Sequence, residues 1–201
     1  MTKALIRNVY LTARMILLRL FIRQKPVQRI DPAGVDSILV IRIDRIGDMV
    51  VSVPAIKALK QLFPSSRMTA LLGCSTVDLA RLVPEIDEVI VYRGFLPALI
   101  SLRKRRFAVV VDLLMDYTLK TASLAFLSGG RITCGFDIAA RGRFFNAAFK
   151  PLSGLKQMSR YLLDLVCFLS ALSGKECVRA DIDPVLTLTD SARISSREFL
   201  Q

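Results

Sequence analysis

Two carboxylates and two arginines crowd into the seven residues Arg42-Ile43-Asp44-Arg45-Ile46-Gly47-Asp48, directly after an apolar run. A carboxylate in that position can take a proton from a hydroxyl, the work of a general base. Asp48 is the best-placed candidate and Asp44 the second. The choice is narrow because the chain has no histidine. Asp, Glu, Lys, Tyr and Cys remain as bases, and histidine metal sites and histidine triads are excluded. A structural alternative stands beside each candidate. Asp48 at a helix start caps the helix or complements its positive end, worth about 0.5–2 kcal/mol. Asp44 pairs with Arg42, Arg45 or a neighbouring loop. A phosphate-binding loop is disfavoured. Gly47 is the one glycine of the cluster, so neither G-x-G-x-x-G nor the Walker spacing occurs, and an acid at the helix start repels an anion.

The elements around this cluster alternate. Residues 38–43 are a short β-branched run suited to a strand buried on both faces. Residues 53–63 have helical spacing, with Val53, Ile56, Leu59 and Phe63 on one side. Pro54 leaves two arrangements open. Either Ser52 caps a helix starting near Val53, or a turn at Asp48 leads into a kinked helix. Strands are predicted over 66–73, 88–92, 107–114 and 131–136, and helices over 76–82, 96–104, 119–127 and 157–172. About five strand–helix repeats mean an α/β, Rossmann-like parallel sheet with helices on both faces. Ligands of such sheets bind beyond the carboxyl ends of the strands. The loops at 42–48, 112–120 and 135–142 are expected to converge there, with Arg42, Arg45, Lys120, Arg141 and Arg143 in or near them. Each of these cations has the plain alternative of a solvated surface charge.

The chain has 201 residues and a net charge of +12. Residues 1–30 hold seven cations and no acid, which points to an anionic membrane surface rather than nucleic acid. Within residues 4–24, Ile6, Val9, Tyr10, Ala13, Ile16, Leu17 and Leu20 share one helical face, flanked by Arg7, Arg14, Arg19 and Arg23. Arginines interrupt the run, so it lies on a bilayer rather than spanning one. The alternative is a helix packed on the domain through Leu11, Leu18 and Ile22. A proline-containing linker follows. Arg103-Lys104-Arg105-Arg106 precedes a strand, and is either a solvated helix end or a second contact with anionic lipid. No two of the four cysteines form a C-x-x-C pair, so four reduced thiols are expected.

The stretch "ILVIRIDRIGDMVVSVPAIKALKQLFP" resembles the amino-terminal signature of glycosyltransferase family 9, the ADP-heptose:lipopolysaccharide heptosyltransferases. Gly47-Asp48 and Val53-Pro54-Ala55 match its Gly-Asp pair and its Leu-Pro-Ala. The segments "FPSSRMTALLG", "VPEIDEVIVY", "FAVVVDLLMDYTLKTASLAFLSGGRITCGFDIAARG" and "RYLLDLVCFLSALSG" resemble later family segments in order, so the likeness runs from about Ser37 to Pro184.

The resemblance implies the amino-terminal half of a two-domain GT-B enzyme that inverts the anomeric centre. Asp48 would be the base that deprotonates the acceptor. Arg45, Lys120, Arg141 and Asp44 would contact a lipid A–core or related glycolipid. No cofactor is implied beyond a nucleotide-sugar donor such as ADP-heptose, held by a second domain. The family's best-known members have Thr-Ser-Ser or similar where this chain has Ile43-Asp44-Arg45, a form of less characterised members. The expected layout is a basic helix and linker over 1–30, the acceptor domain over 36–184, and the start of a linker to a missing domain over 185–201. The chain is then a half-enzyme, cytoplasmic and peripheral on the inner membrane, inactive alone, and completed by a separate carboxyl-terminal domain chain if one exists. A non-catalytic membrane module binding an anionic glycolipid or a partner chain is the competing reading. A dinucleotide-dependent oxidoreductase is weak without the glycine fingerprint.

Overall fold

The computed structural model describes Arg14, Leu18, Ile22, residues 24–152, Gly154 and residues 157–177. The predicted helix over 4–24, apart from Arg14, Leu18, Ile22 and Gln24, and the segment 185–201 lie outside the described residues.

Six parallel strands form one sheet: β1 (Ser37–Arg42), β2 (Arg67–Leu72), β3 (Glu88–Val91), β4 (Val109–Asp112), β5 (Ile132–Phe136) and β6 (Ala147–Phe149). Their order is β3-β2-β1-β4-β5-β6. Val, Ile and Leu dominate β1 and β4 because both faces of these central strands are covered. Ile38, Leu39, Val40 and Ile41 are all fully buried, each stabilising the fold by about 1.5–3 kcal/mol. Val40 pairs with Ala70 on one side and Val111 on the other.

Five α-helices between residues 46 and 172 divide between the faces. Helices α1 (Ile46–Leu62), α2 (Val77–Ala80) and α5 (Met158–Leu172) cover one face, packing on Ile38, Val40, Met68 and Val111. Helices α3 (Phe95–Arg103) and α4 (Lys120–Leu127) cover the other, packing on Leu39, Ile41, Leu71 and Val110. Leu18 and Ile22 join this second layer, and the Ile22 N–H donates to the Leu18 carbonyl at 2.9 Å. For these two residues the packing alternative is the one observed. No helix among the described residues is long and apolar enough to cross a membrane.

The structure decides between the two arrangements at Pro54 and corrects other expectations. The helix after β1 starts at Ile46 and runs through Pro54, so it is the second of the two arrangements. Ser52 does not cap it. The Ser52 hydroxyl donates back to the Asp48 carbonyl at 2.7 Å, and the side chain is fully buried. The predicted helix over 76–82 is a 3-10 turn at Cys74–Thr76 followed by the single turn of α2.

Strand β6 was not predicted, because three residues give no periodic signal. It is secured by Asn146, whose side-chain oxygen accepts from Thr133 N–H at 2.8 Å and whose amide donates to the Arg131 carbonyl at 2.9 Å.

Nor are all four cysteines free, since Cys167 is joined to Cys177. Gly174, at φ +66°, turns the chain back after α5 and returns Cys177 to that helix. Of the two free thiols, Cys74 is exposed and Cys134 buried. Burial pushes the Cys134 thiol far up, so its reactive thiolate is suppressed. A thiol reagent is expected to label Cys74 rapidly in the native chain and Cys134 only on unfolding, which mass mapping of the labelled peptides checks.

Candidate active site

β1 and β4 are neighbours whose outgoing helices, α1 and α4, lie on opposite faces. A crevice opens between them at their carboxyl ends. The residues that fill it are Arg42, Asp44 and Asp48 from the β1 side and Asp112, Asp116 and Arg141 from the β4 and β5 side.

Arg42 ends β1 and is only 2% exposed. Its Nε donates to the Asp48 carbonyl at 3.1 Å, and its Nη1 donates to the Leu113 carbonyl. Its Nη2 lies 3.5 Å from Asp48 Oδ1. The guanidinium therefore ties the start of α1 to the end of β4. Burial draws its pKa down, and Asp44 and Asp48 oppose that fall. A guanidinium remains charged under such conditions. Arg42 is therefore not a cation facing ligand, contrary to its expected place among the cleft charges.

Asp44 Oδ1 lies 3.1 Å from Arg42 Nε, but that N–H already points to the Asp48 carbonyl. Asp44 Oδ1 is buried without a hydrogen-bond donor. Burial pushes the Asp44 carboxyl above its ordinary value, with Arg42 opposing and Asp48 reinforcing the rise.

Asp48 sits in the first turn of α1, two residues beyond the start of the helix. The capping residue is Arg45, in extended conformation, and no side chain caps the helix. Asp48 is thus not used as a cap. Its carboxylate is 38% exposed and paired with Arg42. It keeps a favourable position at the positive helix end. The arrangement holds a charged oxygen in place from beneath and leaves it open above.

Gly47 adjoins it. A Cβ at this position would meet nothing within 4 Å, and its φ is not left-handed. The fold itself does not need glycine here, so the absent side chain leaves clear space beside Asp48. Gly47→Ala is expected to hold or raise stability, by up to about 1 kcal/mol. In a transfer assay the same variant is expected to raise the acceptor KM, and comparing urea midpoint with KM checks the pair of effects.

Across the crevice, Asp112 ends β4 and is fully buried. Its Oδ2 lies 2.6 Å from Arg141 Nη2, and its Oδ1 accepts from Leu114 N–H at 3.1 Å. Burial pushes its carboxyl up, and Arg141 is the main opposing influence. Arg141 also reaches Asp116 Oδ1 at 2.5 Å, the Asp116 carbonyl at 2.9 Å and the Thr121 hydroxyl at 3.1 Å.

The loop that delivers Arg141 is constrained. Ala139 and Ala140 take φ of +48° and +69°, a conformation costing a non-glycine residue about 1–2 kcal/mol. Asp137 closes the loop by accepting from Gly142 N–H at 3.2 Å. Arg141 was expected to bind acceptor. The structure corrects this: the side chain is 0% exposed and both its Nη groups are taken by Asp112, Asp116 and Thr121, while its Nε is buried without a hydrogen-bond partner.

Arg45 and Lys120 are exposed. Lys120 Nζ stands 5.2 Å from the centre of the Tyr92 ring. Four carboxyl groups, Asp44, Asp48, Asp112 and Asp116, share the crevice floor with the two buried arginines. A floor rich in carboxyl groups suits a neutral hydroxyl better than a phosphate, whose contacts fall instead to exposed cations at the rim. Asp112 and Asp116 were not singled out from sequence. The available signal was a carboxylate closing the most apolar strand, Val109–Asp112, which is costly unless a partner cation reaches it.

No family model matches the chain. Over 56 residues, 28% of its length, it is 43% identical to a Haemophilus influenzae protein named "Putative glycosyltransferase", of which that stretch is 16%. Its fold matches E. coli ADP-heptose lipopolysaccharide heptosyltransferase II at a TM-score of 0.65 and 18% identity, covering 82% of this chain and 50% of that one. A glycosyl transferase family 9 structure from Veillonella parvula matches at 0.64 and 17%, covering 82% and 48%. E. coli heptosyltransferase WaaC, solved with ADP, matches at 0.60 and 15%, covering 74% and 51%. The chain therefore has the fold of heptosyltransferases and of a family 9 glycosyltransferase, and spans about half the length of those structures.

Proposed function

We propose that this chain belongs to glycosyltransferase family 9 and is the acceptor-binding half of an inverting sugar transferase. Asp48 is its base. The observation that carries this reading is the state of the Asp48 carboxylate. It stands at the β1–β4 switch point, is not spent on capping, is held from below by Arg42, and is open to the crevice. Asp48 takes the proton of an acceptor hydroxyl. That oxygen bonds to the anomeric carbon as the carbon's bond to the nucleotide diphosphate breaks on the opposite face. The electron pair leaves with the diphosphate. Lys120 and Arg45 receive acidic groups of the acceptor at the rim, and Asp44 helps orient its hydroxyls. The donor, ADP-heptose or a relative, is held by a nucleotide-sugar domain in the same protein or in a partner chain. The acceptor is a lipid A–core or related glycolipid, reached from the cytoplasmic side of the inner membrane.

The test is a transfer assay with ADP-heptose and a lipid A–core extract, run on the chain alone and joined to a family nucleotide-sugar domain. Activity in the joined form alone supports the reading. Robust activity of the chain alone overturns the placement of the donor. A folded joined form that binds glycolipid but transfers nothing favours a non-catalytic module.

A further inference from the structure

The net charge of the chain is confined to two segments. Residues 1–30 carry seven positive charges, and residues 89–111 carry five cations with no acid. The remainder of the chain is neutral overall. Both segments meet the same face of the sheet. Leu18 and Ile22, from the first, pack in one layer with Ala98, Leu99 and Leu102 of α3, from the second.

Helix α3 is two-sided. Ala98 and Leu102 point into the core at 3% and 0% exposure. Leu96 and Ile100 point out at 68% and 58%. Arg103 and Lys104 continue that outer stripe at the i+7 and i+8 positions from Leu96, and both are exposed. Arg93 precedes the helix and Arg106 follows it, and both are exposed too. None of Arg93, Arg103, Lys104 and Arg106 has an ion pair to a described residue. Arg105 differs, since it is bound to Glu88.

We propose that the outer stripe of α3 is a docking face for an anionic lipid bilayer. Two aliphatic side chains in the middle of a stripe, with free cations at both ends, match what an interface of acyl chains beneath phosphate head groups receives. A polyanion such as nucleic acid accounts for the cations but leaves Leu96 and Ile100 in water. The docking also has a geometric consequence. α3 begins just after β3, at the carboxyl end of the sheet, where Tyr92 meets Lys120. Seating α3 on lipid brings the cation-bearing rim of the crevice toward the head groups, from which a glycolipid is presented. That consequence rests on the proposed function; the docking itself does not.

The chain has no tryptophan, so one introduced residue reports its own surroundings. Leu96→Trp is to be compared with Met158→Trp, which lies at the start of α5 in the opposite layer. Each full-length variant is mixed with vesicles of phosphatidylethanolamine and phosphatidylglycerol, or of phosphatidylcholine alone. The expected result is a blue shift, and quenching by brominated lipid, for Leu96→Trp with the anionic vesicles only. Met158→Trp is expected not to respond. In sedimentation with the same vesicles, joint Arg103→Gln, Lys104→Gln and Arg106→Gln is expected to weaken partitioning about a hundredfold, at about fivefold per cation. Arg105→Gln is expected to cost clearly less. Equal responses from the two tryptophans, or unchanged partitioning of the triple variant, overturn the proposal. None of these readouts uses transfer activity, so failure here and failure of the enzymatic reading are separate results.

Discussion

Asp48→Asn, in the form of the protein joined to a nucleotide-sugar domain, is expected to lower kcat by about 10²–10⁴-fold, the range for loss of a positioned general base. Stability is expected to change little, because the side chain is 38% exposed, caps nothing, and makes one ion pair at 3.5 Å among the described residues. Asparagine keeps the shape and loses the basicity. Acceptor binding is therefore expected to persist while the chemical step fails, so the KM for acceptor stays within a few-fold. A purely structural Asp48 gives the reverse pattern, with a lowered urea midpoint and near-normal kcat. Measuring kcat, KM and the urea midpoint on the same preparation separates the two, and normal turnover of a well-folded Asn variant removes Asp48 from the chemistry.

Arg141→Met is expected to be the most destabilising single change at the site, by about 3–5 kcal/mol, because it leaves a buried carboxylate without its cation. Asp112 has no exposure and keeps only Leu114 N–H and Thr121 as donors once the guanidinium is gone. The pH dependence of the variant follows from the sign of the Asp112 shift. Burial already raises this carboxyl above its unfolded value, and Arg141 is what restrains the rise. Without Arg141, the folded chain holds the proton more tightly than the unfolded chain does. The penalty is then full above the raised pKa and relieved as pH falls through it. Arg141→Met is therefore expected to regain stability on mild acidification, and by more than the parent chain, whose Asp112 shift Arg141 restrains. Joint Arg141→Met and Asp112→Asn removes both charges and is expected to recover a good part of the loss at neutral pH. Urea unfolding of the two single variants and the double variant, at neutral and mildly acidic pH, measures the coupling. A single variant with an unchanged midpoint refutes the structural role of the pair.

The same contrast shows what kind of information sequence carried. The parallel sheet was legible because 38–43 and 107–114 are β-branched runs between helical periods, and such runs have one stable use in an α/β layer. The position of Asp48 was legible for a related reason: a carboxylate that follows a buried strand falls at its carboxyl end, where the ligand crevice of this topology lies. Pro54 left two starts open for α1, near Val53 or at a turn by Asp48, because proline fits both a helix beginning and a kinked interior. In the observed helix, which starts at Ile46, Arg42 at the end of the preceding strand donates to the Asp48 carbonyl. Strand β6 was missed because three residues have no period, and its pairing rests on Asn146 and β5.

The amino-acid sequence by itself determined the fold class, the absence of histidine chemistry, the confinement of charge and the place of Asp48, since each follows from local pattern or composition. Only the tertiary structure decided which charges face ligand. Arg42 and Arg141 look in sequence like Arg45 and Lys120, yet the first two are sealed in the crevice floor and the last two stand at its rim. The physical reason is that a buried arginine is tolerated only where carboxylates and carbonyls surround it. Arg141 draws on Asp116 and Asp112, 25 and 29 positions away, and Arg42 adds the Leu113 carbonyl, 71 positions away, to its local partners Asp44 and Asp48. No local pattern encodes meetings at that separation; the packing of β1 against β4 and β5 creates them.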